Sequence, residues 1–316
     1  MAGASRIDAL ITLTKLRDLE LSAASSADRP LHLSAASGLV FTDRHFYVVA
    51  DDELHLGVFD SGDTQPGHLV RLFAGELPPT KKKRKAHKPD LEVLMRLPPF
   101  AGHPHGALLA LGSGSKDNRR LGALLAFDAQ GATNETPRVI DLAILFANLE
   151  DQVGDLNIEG GMVNGNELQL LQRGNKGDGR NALIRFPLAA LFDMLGNAAG
   201  TVRIAPLAIC PVDLGSVAGT PLCFTDGAAL PNGDIVFSAV AENTEDSYND
   251  GPCLGAALGV MDRKGNARSL HLLDQRHKIE GIDASVESDV VRLRLVTDAD
   301  DAAIPAGLFS ATLTLD

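Results

Sequence analysis

Aromatic residues and cysteine are scarce in this 316-residue sequence, which has no tryptophan, two tyrosines and three cysteines. The absence of tryptophan excludes repeats of the tryptophan–aspartate type. Cys210, Cys223 and Cys253 stand at unrelated spacings, which favours free thiols in a reducing compartment over a disulfide framework. No apolar run reaches the length of a membrane span, and no apolar leader opens the chain. We therefore expect a cytoplasmic protein with no membrane association.

Basic residues are fewer than acidic residues. The chain has 29 Lys and Arg against 41 Asp and Glu, a net charge of −12, and its pI is about 5.2. This balance argues against a general nucleic-acid binder or a binder of anionic membranes. Apolar residues make up 45% of the chain, enough for a packed core. The sequence indicates no particular protein partner.

A polar residue followed by glycine recurs along the chain, with copies at 37–38, 105–106, 159–160, 226–227 and 280–281. Each copy precedes short apolar runs divided by Gly, Asn, Asp and Pro, and no long segment has helical periodicity. The copies lie about 54 to 68 residues apart. That spacing is far longer than the distance between sandwich strands and is nearer to the period of propeller blades.

The repeat predicts an all-β protein, a single β-propeller over residues 1–316. Five blades are visible, and a sixth, made from residues 7–31 or from the long stretches between repeats, stays open. Residues 7–22 are expected to supply a strand that closes the ring, beside the alternating C-terminal strand at 307–315. Glycine at the start of each innermost strand fits this fold, because strands crowd together at a propeller axis.

The residue before each glycine is expected to point into the central channel. All five of these residues are polar: Ser37, His105, Glu159, Asp226 and Glu280. Three converging carboxylates repel one another unless a cation lies between them. Oxygen ligands favour Ca²⁺ over zinc, so Glu159, Asp226 and Glu280 are the predicted metal ligands. The alternative is a ring of polar residues around a water-filled channel.

A second ring is predicted where the next strand of each blade ends. Its members are Asp51, Ser113, Arg173, Glu242 and Asp298. Asp51 and its neighbour Asp52 suit either metal ligands or a solvated turn. The cations lie on the second and third blades, which suits a small anionic molecule at the mouth of the propeller. The predicted substrate-binding residues are Ser37, Ser113, Lys116, Arg119 and Arg173.

Two loops depart from the repeat. Residues 76–92 contain five consecutive basic residues at 81–85, a pattern similar to a nuclear-localisation signal or a nucleic-acid patch. The favoured interpretation is an exposed inter-blade loop that its like charges keep extended, and a clamp for an anionic ligand is the alternative. The acidic loop at 242–251 suits either a hard cation or solvent, because it lacks EF-hand spacing.

Three short phrases resemble the esterase-like phytase family and related uncharacterised bacterial β-propeller proteins. They are Ser-Gly-Leu at 37–39, Asn-Ile-Glu-Gly at 157–160 ahead of an Asn-Gly turn, and Ile-Glu-Gly-Ile at 279–282. The resemblance spans residues 34–315 and implies a calcium-dependent propeller that hydrolyses phosphomonoesters. Glu159 and Glu280 match its phrases directly, whereas Asp226 stands in an Asp-Gly pair. Gluconolactonase-like propellers also hold a metal at the axis, so lactone hydrolysis is a neighbouring possibility.

Two classes of function follow. The first is a hydrolase in which a metal-activated water attacks a phosphoester or a lactone, with His105, Glu159 and Glu280 as the catalytic residues. The second is a non-catalytic propeller that binds a small molecule or a protein at the same mouth. Nuclear or DNA partners of the basic run form a third possibility.

Overall fold

The computed structural model describes residues 7–147, 149–175, 180–196, 204–242, 253–288 and 290–314. Five mainly antiparallel sheets make up the fold, and their innermost strands contact one another in a closed ring. The predicted all-β propeller is confirmed with five blades, and the sixth blade left open by the sequence is not formed by the described residues. No helix in these residues is long and apolar enough to cross a membrane.

The first two blades follow two N-terminal strands, β1 (Ile7–Ile11) and β2 (Thr14–Asp18). Blade one contains β3 (Ala36–Phe41), β4 (His45–Ala50), β5 (His55–Asp60) and β6 (His68–Arg71). A short helix, α1 (Lys81–His87), leads into blade two. Blade two contains β7 (Leu91–Leu97), β8 (Ala107–Gly112), β9 (Leu121–Ala126) and β10 (Arg138–Asp141), with a 3-10 turn at Asp117–Arg119.

The third and fourth blades continue the same up-and-down order. After α2 (Ala143–Phe146) and α3 (Glu150–Val153), blade three contains β11 (Ile158–Asn164), β12 (Glu167–Gln172), β13 (Ala182–Pro187) and, beyond α4 (Leu188–Gly196), β14 (Ala208–Pro211). A small ribbon of β15 (Ser216–Val217) and β16 (Thr220–Pro221) precedes blade four. Blade four contains β17 (Cys223–Ala229), β18 (Ile235–Glu242), β19 (Cys253–Met261) and β20 (Ala267–Leu273).

The fifth blade closes the ring. Three of its strands come from the C-terminal part of the sequence: β21 (Lys278–Glu287), β22 (Val290–Asp298) and β23 (Gly307–Thr314). The N-terminal strand β2 pairs antiparallel with β23 and forms the outer strand of this blade. The predicted closure by the two ends of the chain is therefore confirmed. The first strand goes elsewhere: β1 runs parallel to β20 and adds a fifth strand to blade four.

Apolar side chains hold neighbouring blades face to face. Five buried clusters occupy the five interfaces between blades; in one of them Leu109 of blade two packs with Leu170 of blade three, and in another Leu39 of blade one packs with Leu308 of blade five. Sheets that each expose two apolar faces are stable only when stacked in this way.

Glycine permits close approach at the axis. A Cβ atom on Gly38 would lie 2.8 Å from the backbone nitrogen of Leu94, and one on Gly281 would lie 3.2 Å from the Cα of Gly38. These contacts join the innermost strands of blades five, one and two. The interpretation of the repeated glycine as a close-packing residue is confirmed at these positions.

A β-bulge near the start of every innermost strand places one residue outside the ladder. The bulged residues are Ser37, Glu92, Glu159, Thr225 and Glu280. Such bulges redirect a side chain out of the regular alternation of the strand. The predicted ring is therefore correct at three positions and wrong at two, namely His105 and Asp226.

Both errors have a local cause. In blade two the innermost strand is β7, and His105 lies in the exposed turn that joins β7 to β8, at the end opposite Glu92. In blade four the bulge falls on Thr225, so Asp226 stands one residue past it, where the other repeats have glycine or valine. The carboxylate of Asp226 accepts a hydrogen bond from the backbone N–H of Ile282 at 2.8 Å.

Candidate functional site

A cavity of about 390 Å³ opens at the end of the axis where the innermost strands begin. We call it the axial cavity. The bulged residues Ser37, Glu92, Glu159 and Glu280 line it together with Asn157. Eight cationic and nine acidic side chains line the cavity, although acids far outnumber bases in the whole chain. The lining of the cavity is therefore nearly balanced in charge, whereas the chain as a whole is acidic.

The second predicted ring is present at the ends of the second strands. Asp51 and Ser113 directly follow β4 and β8, Arg173 follows β12, and Glu242 and Asp298 end β18 and β22. Asp51, Arg173 and Asp298 line the axial cavity, while Ser113 and Glu242 are buried just behind it. Strand ends are brought together here because every blade presents the same edge to the same end of the axis.

Arg173 connects three acids from three blades. Its Nη1 atom donates to Glu159 Oε2 at 3.0 Å and lies 3.9 Å from Glu280 Oε1, and its Nη2 atom donates to Glu242 Oε2 at 2.5 Å. Lys278 adds a second cation, 3.2 Å from Glu242 and 3.3 Å from Glu280. The acids opposite raise the pKa of Arg173 well above its usual value against the effect of burial.

A second charged group lies between blades one and two. Lys88 forms ion pairs with Asp51 and, at 2.9 Å, with Asp90. Arg119 donates from Nη1 to Asp90 Oδ2 at 2.5 Å, and Ser113 donates to the same oxygen at 2.6 Å. Although burial alone would raise it, the pKa of Asp90 is lowered by the two cations and these hydrogen bonds. Arg119 and Ser113 thus hold the same carboxylate oxygen of Asp90.

Several carboxyl groups of the cavity resist ionisation. Burial, followed by the charge of Glu159, raises the pKa of Glu92 well above its usual value. Burial also raises the pKa of Glu280, against the opposing effect of Lys278 and Arg173, and raises the pKa of Asp298 to about 8. Carboxyl groups with such environments can hold protons at neutral pH.

The basic run lies in the wall of the axial cavity. Residues 81–85 begin α1, and Lys81, Arg84 and Lys85 line the cavity. Arg84 is buried and donates to the carbonyl of Asp52 at 3.2 Å, and Lys81 donates to the carbonyl of Asp300 at 3.2 Å. The predicted extended conformation is wrong here, because these tertiary contacts outweigh the repulsion between like charges on a short helix, whereas Lys81, Lys82 and Lys83 are exposed as predicted.

The predicted calcium ligands do not form a donor set for Ca²⁺. Arg173 lies between Glu159 and Glu280, and Lys278 also pairs with Glu280. Asp226 is turned towards a backbone N–H of blade five. Within the described ranges, the acids with metal-ligand spacing are Asp51, Asp90 and Glu92, whose oxygens lie within 4.8 Å of one another. Two of these acids are already paired with Lys88. The acidic loop at 242–251 lies almost entirely outside the described residues.

The structure brings together five of the predicted site residues and separates the others. Ser37, Glu159, Glu280, Arg119 and Arg173 line the axial cavity. Ser113 supports the cavity through Asp90, and Asp226 is buried between blades. His105 and Lys116 are exposed and do not line the cavity.

The main residues that the sequence interpretation missed are Glu92, Asp90, Lys88 and Lys278. A usable signal existed for Glu92. The last two copies of the dipeptide are about 54 residues apart, and the same distance counted forward from residue 37 reaches the start of the apolar strand β7. Glu92 precedes valine instead of glycine, so the dipeptide pattern does not mark it. Lys88 precedes β7 and Lys278 is the first residue of β21, and a lone lysine at such a place carries no pattern.

The geometry defines a class of protein: a five-bladed propeller with one charged cavity at the end of its axis. A family model described as "Family of unknown function (DUF6929)" matches residues 32–313, and the chain belongs to that family. No curated protein matches the chain significantly. The esterase-like phytase resemblance stays a prediction.

Solved structures of propeller-like shape are distant. MPT-4, a mannose phosphorylase from Leishmania mexicana in complex with a phosphate ion, has 12% identity and a TM-score of 0.49, covering 96% of this chain and 88% of that one. The luciferin-regenerating enzyme has 12% identity and a TM-score of 0.45, with coverages of 90% and 92%. A gluconolactonase-like protein from structural genomics has 10% identity and a TM-score of 0.39, with coverages of 96% and 99%. These similarities say nothing about the chemistry of the cavity.

Proposed function

We propose that the axial cavity binds a small anionic molecule. The observation that carries the proposal is the position of α1, which adds Lys81, Arg84 and Lys85 to the wall of the cavity. Cations in a concave, partly desolvated site attract anions more strongly than the same cations on an open surface. The central acids do not oppose an anion fully, since Arg173, Lys278, Lys88 and Arg119 already pair with them.

The test compares two pairs of lysines on the same helix. In Lys81→Gln/Lys85→Gln the two changed residues line the cavity, whereas in Lys82→Gln/Lys83→Gln they do not. Isothermal titration calorimetry with inorganic phosphate and with pyrophosphate is the measurement. Since a hydrogen bond to a charged group contributes about 1.5–3 kcal/mol, we expect the first double variant to lose at least about tenfold in affinity. Equal losses in both double variants would contradict binding inside the cavity.

Hydrolysis of a phosphoester or a lactone is the second candidate. The observation that favours it is the pair Glu159 and Glu280, two carboxyl groups from blades three and five that share Arg173 but differ in their other partners. A pair of acids in different environments suits a base and an acid. We expect the wild type to hydrolyse p-nitrophenyl phosphate or a γ-lactone. The variant Glu280→Gln should lose this turnover but still bind the anion. No step is assigned to a calcium ion, and the cytoplasmic location stays a prediction.

A further inference from the structure

Glu92 is a buried acid of the axial cavity without a direct partner. Its side chain lines the cavity at the bulge of β7, and only 9% of the residue is exposed. Within the described part of the chain it has no hydrogen bond and no ion pair within 4.0 Å. Because Glu92 lines the cavity, a donor group of a bound molecule can reach its carboxylate.

The surroundings of Glu92 indicate the charge of that group. Its carboxylate lies in one cluster with those of Asp51 and Asp90. The cations nearby are directed at the other two acids: Lys88 pairs with Asp51 and Asp90, and Arg119 pairs with Asp90. Three acids therefore face two cations, and the unmatched acid is Glu92.

We propose that Glu92 binds a cationic amino group of the ligand, so that the ligand of the axial cavity is a zwitterion. The inference rests on the proposed function, because the anionic end of the same molecule would contact the cations of α1. A neutral hydroxyl group also donates a hydrogen bond, but a hydrogen bond from a charged donor to a carboxylate is about twice as strong, which favours the ammonium group. The cavity volume of about 390 Å³ lies in the range of sites for small molecules.

The assignment implies that the pKa of Glu92 falls when the ligand binds. Burial and the charges of Glu159, Asp90 and Asp51 raise it in the ligand-free protein. An ammonium group at the carboxylate would act in the opposite direction by favouring the ionised form.

Three phosphomonoesters of nearly equal size test the inference. They are 2-aminoethyl phosphate, 2-hydroxyethyl phosphate and propyl phosphate, titrated calorimetrically into the wild type, Glu92→Gln and the exposed control Glu76→Gln. We expect the wild type and the control to bind the amino compound about tenfold or more tightly than the other two. In Glu92→Gln this preference should disappear, while the affinity for propyl phosphate stays within about twofold.

The possible failures are distinguishable. Equal binding of all three compounds by the wild type would overturn the inference and leave the anion site intact. Tighter binding of the hydroxy compound would overturn it in favour of a hydroxylated ligand. Binding of Ca²⁺, Mg²⁺ or Mn²⁺ alone by the wild type, lost in Glu92→Gln, would overturn it by identifying Glu92 as a metal ligand. If neither phosphate nor any of the esters binds, the proposed function itself fails. The ratio measured on the wild type decides the question even if Glu92→Gln does not fold.

Discussion

Arg173 of blade three and Glu242 of blade four form a buried ion pair, with 2.5 Å between Nη2 and Oε2. The two residues lie at corresponding places, where the second strands of adjacent blades end. The same guanidinium also donates to Glu159, an acid of its own blade. One side chain thus joins two blades and holds two acids of the central site.

Replacing Arg173 with methionine should destabilise the fold strongly. The change keeps much of the side-chain volume but removes the guanidinium that pairs with Glu159 and Glu242, and breaking a buried pair typically costs about 3–5 kcal/mol. The free energy of unfolding, measured with guanidinium chloride, is the observable. Arg292→Met is the control, because Arg292 and its partner Glu287 are half exposed and such pairs contribute at most about 1 kcal/mol. Similar losses in both variants would contradict the role given to Arg173.

Stability should fall as the pH rises from about 4 towards 8, in part through Asp298. Its pKa is raised to about 8 in the folded protein, whereas an unfolded Asp titrates near pH 3.9. Between these values the folded state holds the proton and the unfolded state does not, so the free energy of unfolding decreases with pH, by at most about 1.4 kcal/mol per unit.

Unfolding of the wild type and of Asp298→Asn across pH 5 to 8 checks this prediction. The variant should show a shallower decline, because one proton-binding group has been removed. Asp90, whose pKa is lowered, acts in the opposite sense and weakens the protein only at more acidic pH. Parallel declines in the two proteins would count against a raised pKa at Asp298.

Gly38→Ala should destabilise the ring at its axis. The new methyl group would lie 2.8 Å from the backbone nitrogen of Leu94 and 3.0 Å from Val49 Cγ2, so the innermost strands of blades one and two must separate. Overpacking of this kind costs about 1–3 kcal/mol. Thermal unfolding of the variant is the measurement. The control is Gly196→Ala, at the end of α4, where no atom lies within 4 Å of the added carbon; it should be neutral or slightly stabilising.

Calcium should leave the melting temperature of the wild type unchanged. The acids that were predicted to hold the ion already have Arg173 and Lys278 as counter-charges, and a further cation would have to displace them. A ligand that binds only the folded state raises the melting temperature according to its concentration. A calcium-dependent rise that Glu159→Gln removes would instead support the sequence-based calcium prediction.

The repeated dipeptide predicted the parts of the site where bulge and glycine coincide. Ser37, Glu159 and Glu280 each precede a glycine that the crowded axis requires, so sequence and geometry mark the same residue. Glu92 precedes Val93 instead of glycine. The dipeptide in blade two was therefore assigned to the pair at 105–106, which has no part in the ring. In blade four the glycine follows Asp226 while the bulge falls on Thr225, a shift of one residue that no composition rule reveals.

The helical conformation of the basic run could not be predicted from local sequence, for a different reason. Five like charges at 81–85 favour an extended chain, and α1 has no side-chain hydrogen bond at its N-cap. The helix is held instead by residues remote in sequence, through the carbonyl groups of Asp52 and Asp300. Only the assembled ring places those carbonyl groups beside the helix.

The pairing of β2 with β23 has a consequence for synthesis in the cell. Thr14 lies opposite Ser310, so β2 stays without this partner strand until β23 has been synthesised and has folded. Contacts so distant in sequence form late and slowly, and an unpaired strand edge is exposed to association with other chains meanwhile. An open ring therefore exposes the edges of β2 and β23, which makes it prone to association.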